Sequence, residues 1–450
     1  MKIIIAGAGD VGFYLCQVLS EDGHAVTMIE EQDAIADEAE SSLDARVIRG
    51  NGASARCLEK AGVSSCDFFI AMTAHDQLNI VACSIARKLG AKYTIARVHD
   101  LVFSDNKRVN FQEYFHIDTL INPEALTAIE LAKHVRNPER MAVEDFARGQ
   151  IELQEIVTSP SAKALGKPLK EIRLPSSLKI GYLVRGETLA VPTADTVLEA
   201  GDKITVIGTP ELLLANRKLF TNEDSSSTIR VVLNGATETA ISVIRRLSNY
   251  RFKIRVIEPD LKKCKDIAEA FPNVTVINGS ATSLRLLEEE QIGSADYFIS
   301  CTKDDEENVM TCLQAKKLGV KYVELVINKP DYEQVLQNIS GFLDIRAAVS
   351  PRKVTVNEIK KYITNKDFIA IGELKGGTVE FIEFKIPENS PCLNKKLRDL
   401  KLPPACIVAA IVDELKAKVP NADDEIKAGD RIIVILEKDK RREVAQMFLP

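Results

Sequence analysis

The sequence predicts the α/β class: two doubly wound parallel sheets, each followed by a small α+β domain. Three observations predict it. The first is an internal repeat, the feature that sets an architecture before any other. Val47-Ile48-Arg49-Gly50-Asn51 recurs as Val276-Ile277-Asn278-Gly279-Ser280, and Thr73-x-x-Asp76-x-x-Asn79 as Thr302-x-x-Asp305-x-x-Asn308, both 229 residues on. Leu174-Pro175 recurs as Leu402-Pro403, and Gly201-Asp202-Lys203-Ile204 as Gly429-Asp430-Arg431-Ile432, both 228 residues on. The second is the rhythm at the start of each copy, where short β-rich apolar runs alternate with amphipathic helical stretches, as a parallel sheet requires. The third is the region after it, where alternating strand patterns are punctuated by turns such as Glu199-Ala200-Gly201-Asp202.

In the first copy the pattern predicts strands over 2–6, 25–30, 45–49, 67–72 and 92–97. Helices are predicted over 11–21, 32–41, 54–60, 77–89 and 123–135. The following part, about 138–220, includes strand patterns at 151–157 and 203–208, and its counterpart runs from about 366 to the C-terminus. The polar stretch 221–228 (TNEDSSST) reads as the linker between copies. Length alone, at roughly 150 residues per domain, suggests about three domains. The repeat makes it four: 1–137, 138–222, 228–365 and 366–450.

Composition narrows the function. Lys plus Arg number 59 against 65 Asp plus Glu, a net charge of -6, which argues against a general nucleic-acid binder with its basic face. The strongest apolar runs, 68–71, 405–412 and 432–436, are strand-sized and far short of a membrane span. The chain begins directly with a strand pattern, so no secretory signal is expected. Nine cysteines without a Cys-x-x-Cys pair fit a reducing cytoplasm, and five scattered histidines argue against a zinc site.

The chemistry concentrates after the first strand. Gly7-x-Gly9-x-x-Gly12 follows that strand and opens a helix, the context in which this pattern marks a Rossmann-like dinucleotide site. Gly7 permits the tight turn, Gly9 lets backbone approach a pyrophosphate, and Gly12 lets helix and strand pack closely. Asp10 and Val11 lie inside the turn; the anion of Asp10 suits a helix N-terminus but not a neighbouring phosphate. Glu30 ends the second strand, 18 residues after Gly12, where a carboxylate accepts from ribose hydroxyls and repels a 2′-phosphate. NAD(H) or an adenosine nucleotide is therefore expected over NADP(H).

Gly50-Asn51-Gly52 follows the third strand, either as a plain Asn-Gly turn or as a loop bordering the adenosine. Thr73 and Asp76 read as a capping box or as ligand contacts. Asn79, one turn further in, is expected on the helix face that looks toward the cleft. Arg97, ending the fifth strand, is either a phosphate ligand or a solvated surface arginine. In the second copy the glycine turn becomes Gly235-Ala-Thr237-Glu238-Thr239-Ala240, and Arg97 aligns with Val326. Glu258 still holds the ribose position, and Ser280 and Thr302 match Asn51 and Thr73. The second site is thus expected to bind a dinucleotide weakly, to take a mononucleotide, or to be structural. No His, Lys, Tyr or Cys constellation suited to hydride transfer accompanies either turn.

Taken together, this four-part order, Gly7-x-Gly9-Asp10-Val11-Gly12, Glu30, Gly50-Asn51-Gly52 and Ala71-x-Thr73-x-x-Asp76-x-x-Asn79 resemble the TrkA family, cytosolic nucleotide-binding subunits of bacterial Trk-type potassium uptake systems. The sheet units resemble RCK (KTN) domains. The small units, with Leu165-Gly-Lys167-x-Leu169-x-x-Ile172 and Leu393-Asn-Lys395-x-Leu397-x-x-Leu400, resemble TrkA-C domains. The resemblance implies a regulator, not an enzyme, peripheral on the inner face of the plasma membrane. It further implies a homotetramer beneath a TrkH-like potassium translocator, gated by NAD/NADH, ATP or ADP. It carries over Gly7, Gly9, Gly12, Glu30, Asn51, Thr73 and Asn79 as nucleotide-contacting positions. Two alternatives stay open: an NAD-dependent dehydrogenase with a degenerate second half, and a regulator of another cation channel or exchanger.

Overall fold

The computed structural model describes residues 1–103, 109–136, 143–146, 150–186, 188–221, 228–247, 251–329, 332, 335–336, 344–364, 368–374, 378–404, 406–413 and 416–450. It divides into two units. One holds Met1–Ala132 with Ile229–Ile359, the other Lys133–Thr228 with Lys360–Pro450. Each unit therefore pairs equivalent parts of the two copies. The chain passes from the first unit to the second inside a helix in both copies, a few residues before the borders expected at 137/138 and 365/366. Residues 222–227 of the expected linker lie outside the described residues.

In the first copy, strands β1 (Lys2–Ala6), β2 (Ala25–Glu30), β3 (Arg46–Arg49), β4 (Phe68–Ala71), β5 (Tyr93–Arg97) and β6 (Thr119–Ile121) form one parallel sheet in the order β3-β2-β1-β4-β5-β6. Helices α1 (Asp10–Glu21), α2 (Asp33–Ser42), α3 (Ala55–Ala61), α4 (Asp76–Lys88) and α6 (Pro123–Arg136), with the short α5 (Phe111–Tyr114), connect them. The predicted strands and helices all form, with ends within one residue of expectation. β6 was not expected: three residues carry no readable period. Asp118 fixes its register by accepting from the Thr94 amide at 2.8 Å. β1 and β4 lie at the centre of the sheet, and their near-continuous burial is what two helix-covered faces demand.

The second copy repeats the plan. Its strands β12 (Ile229–Asn234), β13 (Phe252–Glu258), β14 (Thr275–Asn278), β15 (Tyr297–Ser300), β16 (Tyr322–Val326) and β17 (Ala347–Val349) pair in the order β14-β13-β12-β15-β16-β17. Helices α8 (Glu238–Arg246), α9 (Leu261–Ala270), α10 (Leu284–Glu289) and α11 (Asp305–Lys317) link them, and a helix at Pro351–Thr364 follows β17 as α6 follows β6.

The other unit holds two five-stranded sheets with antiparallel pairing. The first has the order β10-β9-β11-β8-β7, with β7 (Val143–Phe146), β8 (Ile151–Val157), β9 (Lys179–Arg185), β10 (Thr188–Ala190) and β11 (Lys203–Gly208), before helix α7 (Pro210–Ala215). Its equivalent has the order β18-β19-β22-β20-β21, with β18 (Phe368–Leu374), β19 (Val379–Lys385), β20 (Ile407–Asp413), β21 (Lys416–Lys418) and β22 (Arg431–Glu437), before the closing helix Arg441–Phe448. One apolar core joins the two sheets, with Ile151, Leu153 and Tyr182 packed among Phe381, Ala409 and Ile433. Each of the large aliphatic and Phe side chains among them contributes about 1.5–3 kcal/mol through burial.

Candidate functional site

Strand order reverses in direction between β1 and β4, and a doubly wound sheet binds its ligand in the crevice at that switch point. The turn after β1 and the loop after β4 meet there. Gly7 has φ +100°, and a Cβ on it would stand 2.9 Å from the Thr73 nitrogen. A Cβ on Gly12 would stand 2.0 Å from the Gly7 oxygen, so α1 reaches its place only without one. Gly9 differs: its φ is -66° and nothing of the protein lies within 4 Å of where its Cβ would be. The fold needs Gly7 and Gly12. Gly9 is left open toward the crevice. It caps α1 without any side-chain bond, so the first-turn amides and the positive end of the helix dipole are available to an anion.

Glu30 holds this turn. Its Oε2 accepts from the Ala8 amide at 2.7 Å, and its Oε1 from the amides of Glu31 and Gln32, both at 2.9 Å. A carboxylate has about four acceptor positions, so three are occupied by backbone and one faces outward. The expectation of a carboxylate free for two ribose hydroxyls is narrowed accordingly. Glu258 braces the second copy alike, accepting from Ala236 at 2.7 Å and Asp260 at 3.0 Å.

The Thr73–Asp76 capping box does not form. Helix α4 begins at Asp76 with His75 as N-cap and no side-chain cap. The Thr73 amide and hydroxyl instead donate to Asn79 Oδ1, at 3.0 and 2.7 Å. Asn79 is fully buried, and its Nδ2 donates to the Thr73 and Arg97 carbonyls at 2.9 and 3.0 Å. It ties the β4 and β5 ends together from behind the crevice instead of facing it. The reason is visible in the helix: position 79 falls on the stripe packed on the sheet, with Ile80, Ala82 and Cys83. Asn308 makes the same brace in the second copy, bonding Thr302 and Val326. Asn51 is also engaged by its neighbours. Its Oδ1 accepts from the Ala53 amide at 2.9 Å and its Nδ2 donates to Glu31 at 3.2 Å. Ser280 bonds Thr282 within its own loop.

Arg97 is not a solvated surface group. Its side chain is 17% exposed and Nη2 donates to His99 Nε2 at 2.7 Å. A guanidinium has no acceptor, so His99 carries its proton on Nδ1, which donates to Asp76 at 2.9 Å. The Asp76 carboxylate also accepts from the His99 and Asp100 amides. Burial pulls Arg97 below its ordinary pKa, while Glu124, Asp76 and Asp10 favour its charge. The guanidinium is thus positioned before any ligand arrives, in a place where its charge is incompletely solvated.

These groups line a cavity of about 840 Å³, a size suited to a nucleotide. Gly7, Gly9, Asp10, Val11, Glu30, Thr73 and Arg97 contribute to it; Gly12, Asn51, Asn79, Glu258 and Ser280 do not. The second copy closes one side with Thr237, Glu238, Thr302 and Arg352 among others. Burial raises the Glu238 pKa, and Asp100 and Glu124 of the first copy raise it further.

The TrkA-N domain matches residues 3–123 and again 231–351, and the TrkA-C domain matches 153–221 and 381–449. This chain belongs to the TrkA family. It is 30% identical to a Trk system potassium uptake protein TrkA homolog of Archaeoglobus fulgidus, with all of both chains covered. It is 31% identical to the Trk system potassium uptake protein TrkA of Haemophilus influenzae, covering 100% of this chain and 99% of the relative. Among solved structures, the GsuK channel bound to NAD superposes with a TM-score of 0.61 at 18% identity, over 99% of this chain and 78% of that one. The GsuK RCK domain gives 0.58 at 18% identity, over 99% and 94%. At that identity the likeness is one of fold.

Within this TrkA-family chain, sequence reasoning missed His99, Glu124 and Arg352. His99 and Glu124 lie beyond the strand ends where the motif stops. Arg352 is 340 residues from Gly12. Only aligning the repeat, which sets Arg352 at the place of Glu124, points to it.

Proposed function

We propose that the chain is the peripheral regulatory subunit of a potassium uptake system, and that an adenine nucleotide, NAD(H), ATP or ADP, held at the first glycine turn is its signal. The observation that carries this reading is correspondence along the whole chain, in unchanged domain order, with relatives named for Trk potassium uptake. Its ligand half is supported by the uncapped α1 N-terminus, the open Gly9 and the buried Arg97 around one cavity. Related folds have been seen with NAD and with ADP, in GsuK.

Among the described residues no helix is long and apolar enough to cross a membrane. The potassium path then belongs to a partner, a TrkH-like translocator, on whose inner face a homotetramer of this chain assembles. For gating, the nucleotide must bind two assembly conformations unequally; equal affinity would shift nothing. The second glycine turn is read as structural, because Thr237 fills it.

The test is direct. Titration calorimetry of the purified protein with NADH and ATP is expected to show one site per chain and no consumption of NADH. Gly9→Val, whose Cβ would have no protein atom within 4 Å, is expected to lower the melting temperature of the unliganded protein only slightly, through the poorer N-cap, and to abolish binding. Co-purification with a polytopic potassium translocator tests the partner. Undiminished NADH binding by Gly9→Val sinks the site, and steady NADH oxidation with a carbonyl substrate sinks the regulatory reading.

A further inference from the structure

Helix α6 and the helix Pro351–Thr364 occupy equivalent places, each following the sixth strand of its sheet. Their second residues are Glu124 and Arg352, opposite charges at matching positions, and both line the same cavity. Arg352 is 8% exposed. Its guanidinium carbon lies 4.6 Å from the centroid of the Tyr14 ring, on the first copy's α1. Tyr14 is one turn beyond Asp10, so the stack seats the cation beside the helix whose N-terminus is left uncapped. On the other side, Arg97 Nε and Glu124 Oε2 are buried without a hydrogen-bond partner among the described residues. Two guanidinium groups, one from each copy, thus border one crevice that also holds free helix amides.

We propose that Arg352 completes the first copy's site from the second copy, pairing with phosphate oxygens of an adenine nucleotide seated on the Gly7–Gly12 turn. This rests on the nucleotide reading above. The planar fork of a guanidinium matches two phosphate oxygens at once. Stacking on Tyr14 fixes it in advance, so little side-chain freedom is lost when the anion arrives. Glu124, at the matching position, repels the same anion. The ligand is therefore drawn toward the second copy's side of the crevice, and affinity rises with phosphate charge.

Calorimetry with ATP, ADP and adenosine tests this on the full chain. Arg352→Ala is expected to weaken ATP and ADP at least tenfold while leaving adenosine within twofold of wild type. Arg352→Lys, which keeps charge and most of the packing, is expected to restore part of the loss. An equal loss for adenosine makes Arg352 a packing residue and overturns the proposal. ATP binding unchanged in Arg352→Ala, with Gly9→Val still abolishing it, overturns the proposal and leaves the nucleotide site standing. A wild-type protein that binds none of the three overturns the proposal, and one that also fails to bind NADH overturns the nucleotide reading with it.

Discussion

The two sheets of the first unit share strand order, the acid that braces the turn and the asparagine behind the β4-type strand, yet treat their switch points in opposite ways. In the first copy Gly9 precedes α1 as its N-cap residue, with no side-chain cap. In the second, Thr237 caps α8 by accepting from Ala240, and its hydroxyl lies 2.8 Å from the Cys301 carbonyl, to which it donates. Behind the turns the first copy has Ala6, Ala71 and Ala82, all buried, and a Cβ on Gly52 would come within 2.8 Å of Ala6 Cβ. The second copy has Asn234, Ser300 and Thr311 there, bonded to one another and to Asn308. One backbone plan thus serves either to present polar groups or to consume them. A helix N-terminus capped by its own chain has fewer donors for an anion.

The matched pair Gly12 and Ala240 separates the two turns most. Gly12→Ala drives a Cβ onto the Gly7 oxygen and is expected to cost about 3 kcal/mol in urea denaturation and to abolish nucleotide binding. Ala240→Gly is expected to cost about 1 kcal/mol, the helix-propensity difference, and to leave binding intact. Equal costs would show that the two turns do not differ as described.

Next come the bracing acids. Glu30→Ala leaves three backbone amides without their acceptor and Glu258→Ala two, of which the buried Ala8 and Ala236 amides dominate the cost, at about 2 kcal/mol apiece. Only the Glu30 change is expected to weaken NADH, by tenfold or more in calorimetry. If Glu258→Ala weakened NADH as much, the second site would be the active one.

The small domains diverge in the same way. Asp202 caps its turn at the Glu199 amide and pairs with Arg185 at 2.8 and 2.7 Å, which holds its carboxyl below the usual range. Asp430, in the same turn of the second copy, faces Asp413 where Arg185 would stand, and burial, with a lesser push from Asp413, raises its pKa. Arg185→Ala is expected to cost about 2 kcal/mol at neutral pH. A lowered carboxyl stabilises fully above its unfolded pKa, so that cost should begin to shrink below about 4 and vanish as the pH falls through the lowered folded value. Asp430→Asn should show the reverse: ionisation of a raised acid opposes folding, so the relative gain of the amide appears above the usual carboxylate range and fades below it. Thermal melts across pH 3–8 separate the two.

The smallest effect expected is at Glu238, whose raised pKa means that its charge opposes folding at neutral pH. Glu238→Gln should raise the melting temperature slightly at pH 7 and not at all below the ordinary carboxylate range.

Much of the fold was legible because a parallel sheet writes itself as buried runs between amphipathic helices. Phe68–Ala71, read as strand-sized, is β4 residue for residue. The glycines were legible for the same reason: Gly7 and Gly12 obey local sterics. The side chains were less so. Asn79 and Asn51 look like ligand groups in a motif, but hydrogen-bond demand inside the loops claims them first. The capping box failed because Thr73 found Asn79 closer than the helix start. Arg352 was invisible, since it meets the first turn only through the pairing of copies.

That unlike pair, Glu124 and Arg352, bears on symmetry. A two-fold dimer of single-copy chains repeats every residue on both sides of its interface, so the facing positions would both be acidic or both basic. Joining the copies in one polypeptide lifts that restriction. The stoichiometry is locked at one to one, the partner half is always at high effective concentration, and each half is free to diverge toward a different role in a single asymmetric pocket.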